Sequence, residues 1–279
     1  MKIGIIGGTG IEKNFAADSL PRGIITSFSD KLVMLKEIII KGTQVYFLSR
    51  HGEDHIVPPH EVNYRANILA LKKIGVDAVI AFNAVGVLNP AIDLGWLATP
   101  DDLNTLFCYG RPETFFDGQI IKRKGKEVLM KATHVNMSSP FCPQIRDTIY
   151  KAAARLKIPT MSGGVVAVTN GPRFETAAEV KALQVMRCDY VSMTLHPEAA
   201  LAREAGLHYA SICFLTNYAT GIKNARPDEN EVYAMMEKMK AAVPDLITEI
   251  IANLPDTFDS KKCYCSYEFI NELVELENS

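Results

Sequence analysis

The sequence predicts one large α/β domain. Apolar runs of strand length alternate with segments of helical period, and polar or glycine-rich stretches follow the strands directly. Size agrees: 279 residues, 48% of them hydrophobic, suffice for one large core, and no repeat, low-complexity tract or linker divides the chain.

The first strand is predicted over Lys2 to Ile6. The glycines after it, in Gly7-Gly8-Thr9-Gly10, suit a backbone that approaches an anion closely. A dinucleotide fingerprint fails here because Lys13 stands where a third small residue is needed, and a Walker loop fails because Ile11 and Glu12 follow Gly10. What remains is a tight turn carrying the Thr9 hydroxyl, either holding free phosphate or holding nothing.

Further strands are predicted over Val45 to Ser49, Ala78 to Phe82, Val165 to Thr169, Tyr190 to Thr194 and Tyr209 to Leu215. Helices are predicted over Tyr64 to Ile74, Gln144 to Leu156, Thr176 to Cys188, Glu198 to Ala205, Asp228 to Asn253 and Tyr267 to Glu277. Pro143 and Pro227 suit helix starts, Gly75 and Gly206 suit helix ends, and Pro244 should kink or split the long helix.

Thirty basic against thirty-two acidic residues give a net charge of −2 with no run of like charges. Nucleic acid and anionic membrane surfaces are therefore excluded as main partners, leaving small molecules. No apolar stretch is long enough for a membrane span, and a strand beginning at the second residue leaves no room for a signal peptide, so a cytoplasmic location is expected. The six cysteines, at 108, 142, 188, 213, 263 and 265, show no paired metal-type spacing and read mostly as small buried hydrophobes. Cys263-Tyr264-Cys265 stands apart as either two thiols or a disulfide closing a short, strained loop.

The polar residues with the best claim to function sit at strand ends, where α/β sheets collect ligands. RHGEDHIVPPHEVNY follows Ser49, NAVG follows Phe82, NGPRFET follows Thr169, SMTLHPE begins in the strand from Tyr190, and TNYATG follows Leu215. His51, His55 and His60 do not read as a metal site, because Gly52, Pro58 and Pro59 break any helix that would align them.

Taken in order, IGGTG, RHG, PPHEVNYRANI, NAVG, PFCP, GPRFET, SMT-x-x-PE, LAREAG and TNY resemble the 5′-methylthioadenosine phosphorylase branch of the trimeric purine nucleoside phosphorylases, over roughly residues 2 to 255. The resemblance implies a mixed, partly barrel-like sheet flanked by helices, a C-terminal helical tail over about 256–279, and a homotrimer. It also implies cleavage of the purine N-glycosidic bond by inorganic phosphate, a co-substrate, with no cofactor and no metal.

By the same resemblance Thr9, Arg50, His51, Asn83, the Ala84 backbone and Thr194 hold phosphate. Ser192 and Met193 approach base and ribose, Phe174 stacks on the purine, and Glu175 faces its N1. His60 and His134 lean toward a neighbouring subunit's nucleoside at its 5′ end. Asn217 and Ala219 stand where adenine-specific relatives carry carboxylates, so a donor amide at 217 favours 6-oxopurine nucleosides. Val232 and Met235 resemble an apolar pocket for a 5′-methylthio group, with S-methyl-5′-thioinosine, inosine and guanosine as the implied substrates. Arg50, His51 and Asn217 carry the catalytic roles. Three alternatives stay open: an adenine-preferring methylthioadenosine phosphorylase, a hydrolytic nucleosidase, and a nucleoside sensor without catalysis. The segment VLNPAIDLGWLATPDD departs from the family pattern at Asn89, Trp96 and Ala98.

Overall fold

The computed structural model describes residues 1–7, 19–52, 56–266 and 269–279. Thr9 and His55 therefore lie outside the described residues. In chain order the strands and helices are β1 (Ile3–Gly7), β2 (Pro21–Thr26), β3 (Ser29–Ile40), β4 (Thr43–Ser49), α1 (Tyr64–Lys73), β5 (Ala78–Val87), β6 (Leu97–Thr99), β7 (Asp102–Phe107), β8 (Ile120–Arg123), β9 (Lys126–Leu129), α2 (Pro143–Arg155), β10 (Thr160–Ser162), β11 (Val165–Thr169), α3 (Ala177–Val185), β12 (Tyr190–Ser192), α4 (Leu195–Glu204), β13 (His208–Tyr218), α5 (Glu229–Lys240), α6 (Val243–Asn253) and α7 (Asn271–Asn278).

Eleven strands form one mixed sheet in the order β10-β6-β13-β5-β1-β4-β3-β2, with β12, β11 and β7 branching from β5; β8 and β9 form a separate hairpin. The branch is what creates a site. β13 occupies one edge of β5 along its whole length, from Ala78 to Val87. The other edge pairs with β1 only as far as Ala81, and with β12 only at Gly86 and Val87. Between them Phe82 to Val85 have no strand on that side among the described residues, and the sheet opens into a cleft there.

Packing on both faces explains why the central strands read as unbroken apolar runs. Ile3, Ile5, Ala78, Ile80 and Phe82 join the core under α2, α5 and α6, whereas Ile6, Val79 and Ala81 join the core under α1, α4 and α7. A third, smaller core lies where α3 packs on the branch, around Ala167, Val180, Leu183 and Val191.

Several elements differ from expectation. β2 and β3 are missing from the sequence prediction because β3 buries only scattered residues and Lys36 and Glu37 break its apolar run. β13 continues past Leu215 to Tyr218 through a register shift at Thr216. Pro244 does split the long helix, by sitting in the first turn of α6, where its missing N–H costs nothing. The C-terminal tail is helical at Asn271–Asn278 but not over 256–266. Buried Glu277 pins it, accepting from Ser27 N at 2.6 Å, Lys73 Nζ at 3.0 Å and Arg123 Nη1 at 2.8 Å.

Candidate active site

A cavity of about 450 Å³ occupies the cleft. Arg50, His51, Asn83 and Thr194 form a polar group in its lining, and the rest mixes apolar residues such as Phe174, Val191, Val232 and Met236 with the polar Glu175, Thr216 and Asn217. Arg50 follows β4, and its backbone N–H donates to Gly7 O at 2.8 Å, so the end of β1 and the head of this loop are locked side by side.

Arg50 is 4% exposed, and its fork is already engaged. Nε and Nη2 donate to the two oxygens of Glu198 at 2.7 and 2.9 Å, and Nη1 donates to Phe82 O at 3.0 Å. Tyr209 Oη donates to Glu198 Oε1 at 2.8 Å. Phosphate is the anion expected at Arg50, but the bidentate partner of its fork is the Glu198 carboxylate. Two of the five guanidinium N–H groups, one on each terminal nitrogen, remain to meet an anion. Burial opposes the Arg50 charge, but the Glu198 carboxylate outweighs it and holds the guanidinium firmly protonated.

The neighbouring donors are oriented just as tightly. Ser211 Oγ donates to Asn83 Oδ1 at 2.9 Å, and Asn83 Nδ2 donates to Thr194 Oγ1 at 2.8 Å. Thr194 therefore accepts from Asn83 and turns its own proton elsewhere. His51 Nδ1 lies 2.7 Å from Val57 O, which makes Nδ1 the protonated nitrogen, since a carbonyl only accepts.

At the far side of the cleft the bulge in β13 does the positioning. Leu215 pairs with Val85 and Asn217 with Gly86, so Thr216 is the extra residue. An unbroken strand sends consecutive side chains to opposite faces, but here Thr216 and Asn217 both line the cavity. Asn217 is 4% exposed; its Nδ2 donates to Tyr218 O at 3.1 Å, and its Oδ1 lies 2.9 Å from Thr216 Oγ1. One amide N–H is left. Glu175, also on the cavity wall, accepts from Thr169 Oγ1 at 2.7 Å, and burial raises its carboxyl above the usual range despite that bond.

The loop between β11 and α3 comes close to Met193. Gly171 has φ +60°, a conformation that favours glycine, and a Cβ there would lie 2.5 Å from Met193 Sδ, so any larger residue would strain the turn and displace Met193. Arg111 ties the same parts together, donating to Met193 O at 2.8 Å, His196 O at 2.9 Å and Asn170 O at 2.6 Å.

With this geometry in view, comparison with known proteins is decisive. A sequence model of the Phosphorylase superfamily matches residues 2–252. The chain belongs to that superfamily. It is 37% identical over 264 residues to the 6-oxopurine nucleoside phosphorylase of Pyrococcus furiosus, covering 95% of this chain and 96% of that one. It is 36% identical over 267 residues to a probable S-methyl-5′-thioinosine phosphorylase of Methanopyrus kandleri, with the same coverage. Methylthioadenosine phosphorylase from Schistosoma mansoni, solved with adenine, superposes with a TM-score of 0.82 at 29% identity, covering 100% of this chain and 96% of that one.

In this superfamily member the cavity gathers Arg50, His51, Asn83, Ala84, Phe174, Glu175, Ser192, Met193, Thr194, Asn217, Ala219 and Val232 from the expected site. Three expected residues that the structure describes are not among its lining. Met235 faces the other side of α5, against Gly95, and Met236 takes the place beside Val232. The helical phase was off by one residue. His60 is exposed and sits 3.5 Å from Glu61, and His134 is exposed on the chain between β9 and α2. Tyr233 and Glu229 also line the cavity, so the α5 face expected to be apolar carries polar groups as well. Glu198 and Arg111 had no assigned role; Glu198 stands in the quoted SMTLHPE stretch, but nothing in its spacing points across 148 residues to Arg50.

No helix among the described residues is long and apolar enough to cross a membrane.

Proposed function

We propose that this protein cleaves 6-oxopurine nucleosides by phosphorolysis, giving the free purine and a ribose 1-phosphate or 5-methylthioribose 1-phosphate. The observation that carries the 6-oxo preference is Asn217, buried at the wall of a cavity that Glu175 also lines, with one amide N–H left over among the described residues. A 6-oxopurine presents acceptors at N7 and O6 and a donor at N1. An amide donor and a carboxylate acceptor complement that pattern; adenine reverses it at two positions.

Phosphate sits at the polar group of the lining, held by Arg50, His51, Asn83, Thr194, the Ala84 backbone and the Thr9 turn. Its oxygen attacks C1′ as the bond to N9 breaks, and the bond's electron pair passes to the purine. Asn217 then stabilises the charge that develops on N7 and O6, as a preorganised donor does. Phe174 packs on the purine, while Ser192 and Met193 approach the ribose. No enzyme nucleophile, organic cofactor or metal enters these steps; phosphate is a co-substrate. Val232 and Met236 form the wall for the 5′ substituent. Exposed His60 and His134 reach a neighbouring subunit's nucleoside in a homotrimer, and the enzyme works in the cytoplasm.

Comparing kcat/KM for 5′-methylthioinosine, inosine, 5′-methylthioadenosine and adenosine tests the substrate reading. The hypoxanthine nucleosides should lead their adenine counterparts by on the order of a hundredfold or more. A clear lead for 5′-methylthioadenosine would refute the assignment of Asn217.

Glu175 adds a pH signature. Accepting the N1 proton requires the ionised carboxylate, and burial raises the pH at which Glu175 gains a proton. Nucleoside affinity should therefore weaken as pH falls through that raised pKa, and Glu175→Gln should lose that acid limb along with most of the 6-oxo preference. KM for inosine measured across pH in both proteins checks it.

A further inference from the structure

Cys142, His208, Cys263 and Cys265 are buried, and their ligating atoms all lie within 4.8 Å of one another. They come from three separate places: the residue before α2, the first residue of β13, and the segment between α6 and α7. This is why sequence spacing shows no metal signature. We propose that these four residues bind a structural zinc ion, which revises the expectation of a metal-free chain.

The distances fit. Tetrahedral zinc, with Zn–S of about 2.3 Å and Zn–N of about 2.0–2.1 Å, sets the S···N separation at about 3.5 Å. Cys142 Sγ and Cys263 Sγ lie 3.4 and 3.5 Å from His208 Nδ1. Three cysteines and one histidine complete a closed four-ligand set, with no position left for substrate, and sulfur-rich tetrahedral sites select zinc.

The surroundings fit as well. His208 Nε2 lies 3.5 Å from Ser266 Oγ, and its ring stacks on Phe258 with centroids 3.7 Å apart, so its outer nitrogen and its plane are both held. Gln144 Nε2 donates to Cys263 Sγ at 3.1 Å, the kind of bond that supports a thiolate. Binding releases three thiol protons and leaves three thiolates, a neutral imidazole and Zn²⁺, a net charge of −1. Arg203 balances it: the side chain is buried, close enough to Cys265 to act on it electrostatically, and its Nη1 has no hydrogen-bond partner among the described residues.

The zinc staples the chain after α6 to the start of β13 and the head of α2. The family match ends at residue 252, so two of the four ligands lie beyond it. None of the four lines the cavity, and Asn217 stands nine strand residues from His208, roughly 30 Å away. The ion therefore serves the fold and not the reaction.

The test uses the full chain, purified in reductant without chelator after growth with added zinc. Elemental analysis should find about one zinc per chain. Exchange with cobalt(II) should give a thiolate-to-cobalt charge-transfer band and the strong visible bands of a tetrahedral centre. Cys263→Ser and His208→Ala should each weaken zinc binding by at least about tenfold. Zinc at buffer background in the folded wild-type chain would overturn the proposal without reference to any variant. So would a weak, octahedral cobalt spectrum, a Cys263–Cys265 disulfide in the purified reduced protein, or full zinc content in a folded Cys263→Ser chain.

Discussion

Arg50→Ala lowers kcat/KM for phosphate by roughly a hundredfold or more, the loss expected when a preorganised charged donor is removed from an enclosed site. The same substitution destabilises the fold by about 3–5 kcal/mol, because it strands the Glu198 carboxylate, 1% exposed, without its cation. The two effects separate in the double variant. Arg50→Ala with Glu198→Ala removes both charges and recovers much of the stability, yet leaves phosphate use impaired. Kinetics with phosphate as the varied substrate, beside denaturant unfolding of the same proteins, checks both halves. Unchanged phosphate dependence in a folded Arg50→Ala chain would remove this residue from the site.

Asn217→Asp moves the ratio of hypoxanthine to adenine nucleoside kcat/KM toward adenine by on the order of a hundredfold. A carboxylate at 217 can no longer donate to a 6-oxo oxygen or to Tyr218 O, and it favours the 6-amino group instead. Ala219 sits nearby: a side chain at Gly86 would lie 3.5 Å from Asn217 Nδ2 and 3.8 Å from Ala219 Cβ. A second carboxylate at 219 couples to the first and raises the proton affinity of the pair, so Asn217→Asp with Ala219→Asp shifts the ratio further than either change alone. Measuring kcat/KM for a hypoxanthine and an adenine nucleoside on the wild type and the three variants reads the switch. A ratio unmoved by Asn217→Asp would place purine discrimination elsewhere in the cavity.

What the sequence made legible follows from physics. The buried central strands are apolar on both faces, so the runs Lys2–Ile6 and Ala78–Phe82 announced themselves, whereas Asn83-Ala84-Val85-Gly86, read as a stretch after its strand, lies inside β5. β3 did not announce itself, because Lys36 and Glu37 break its apolar residues into two short runs, Leu32–Leu35 and Ile38–Ile40, half of whose side chains stay open to solvent. Of the site, residues that touch the cavity were largely readable from their places at strand ends. Those that act through another residue were not. Glu198 orients Arg50, Ser211 orients Asn83, and Arg111 braces Met193 from positions far away in the chain. Met235 illustrates a finer limit: helical period narrows a wall to one face but leaves the phase open by a residue, and Met236 holds the place. The Cys142, His208, Cys263 and Cys265 cluster lies beyond spacing rules altogether, since folding alone brings its segments together.

The most direct measurement is release of free purine from inosine and 5′-methylthioinosine with and without added phosphate, with the sugar product identified. The account predicts release that rises with phosphate and saturates, yielding the pentose 1-phosphate in equal amount to the base. Release at the same rate in phosphate-free buffer, with free ribose or 5-methylthioribose as product, would contradict it and make the enzyme a hydrolase.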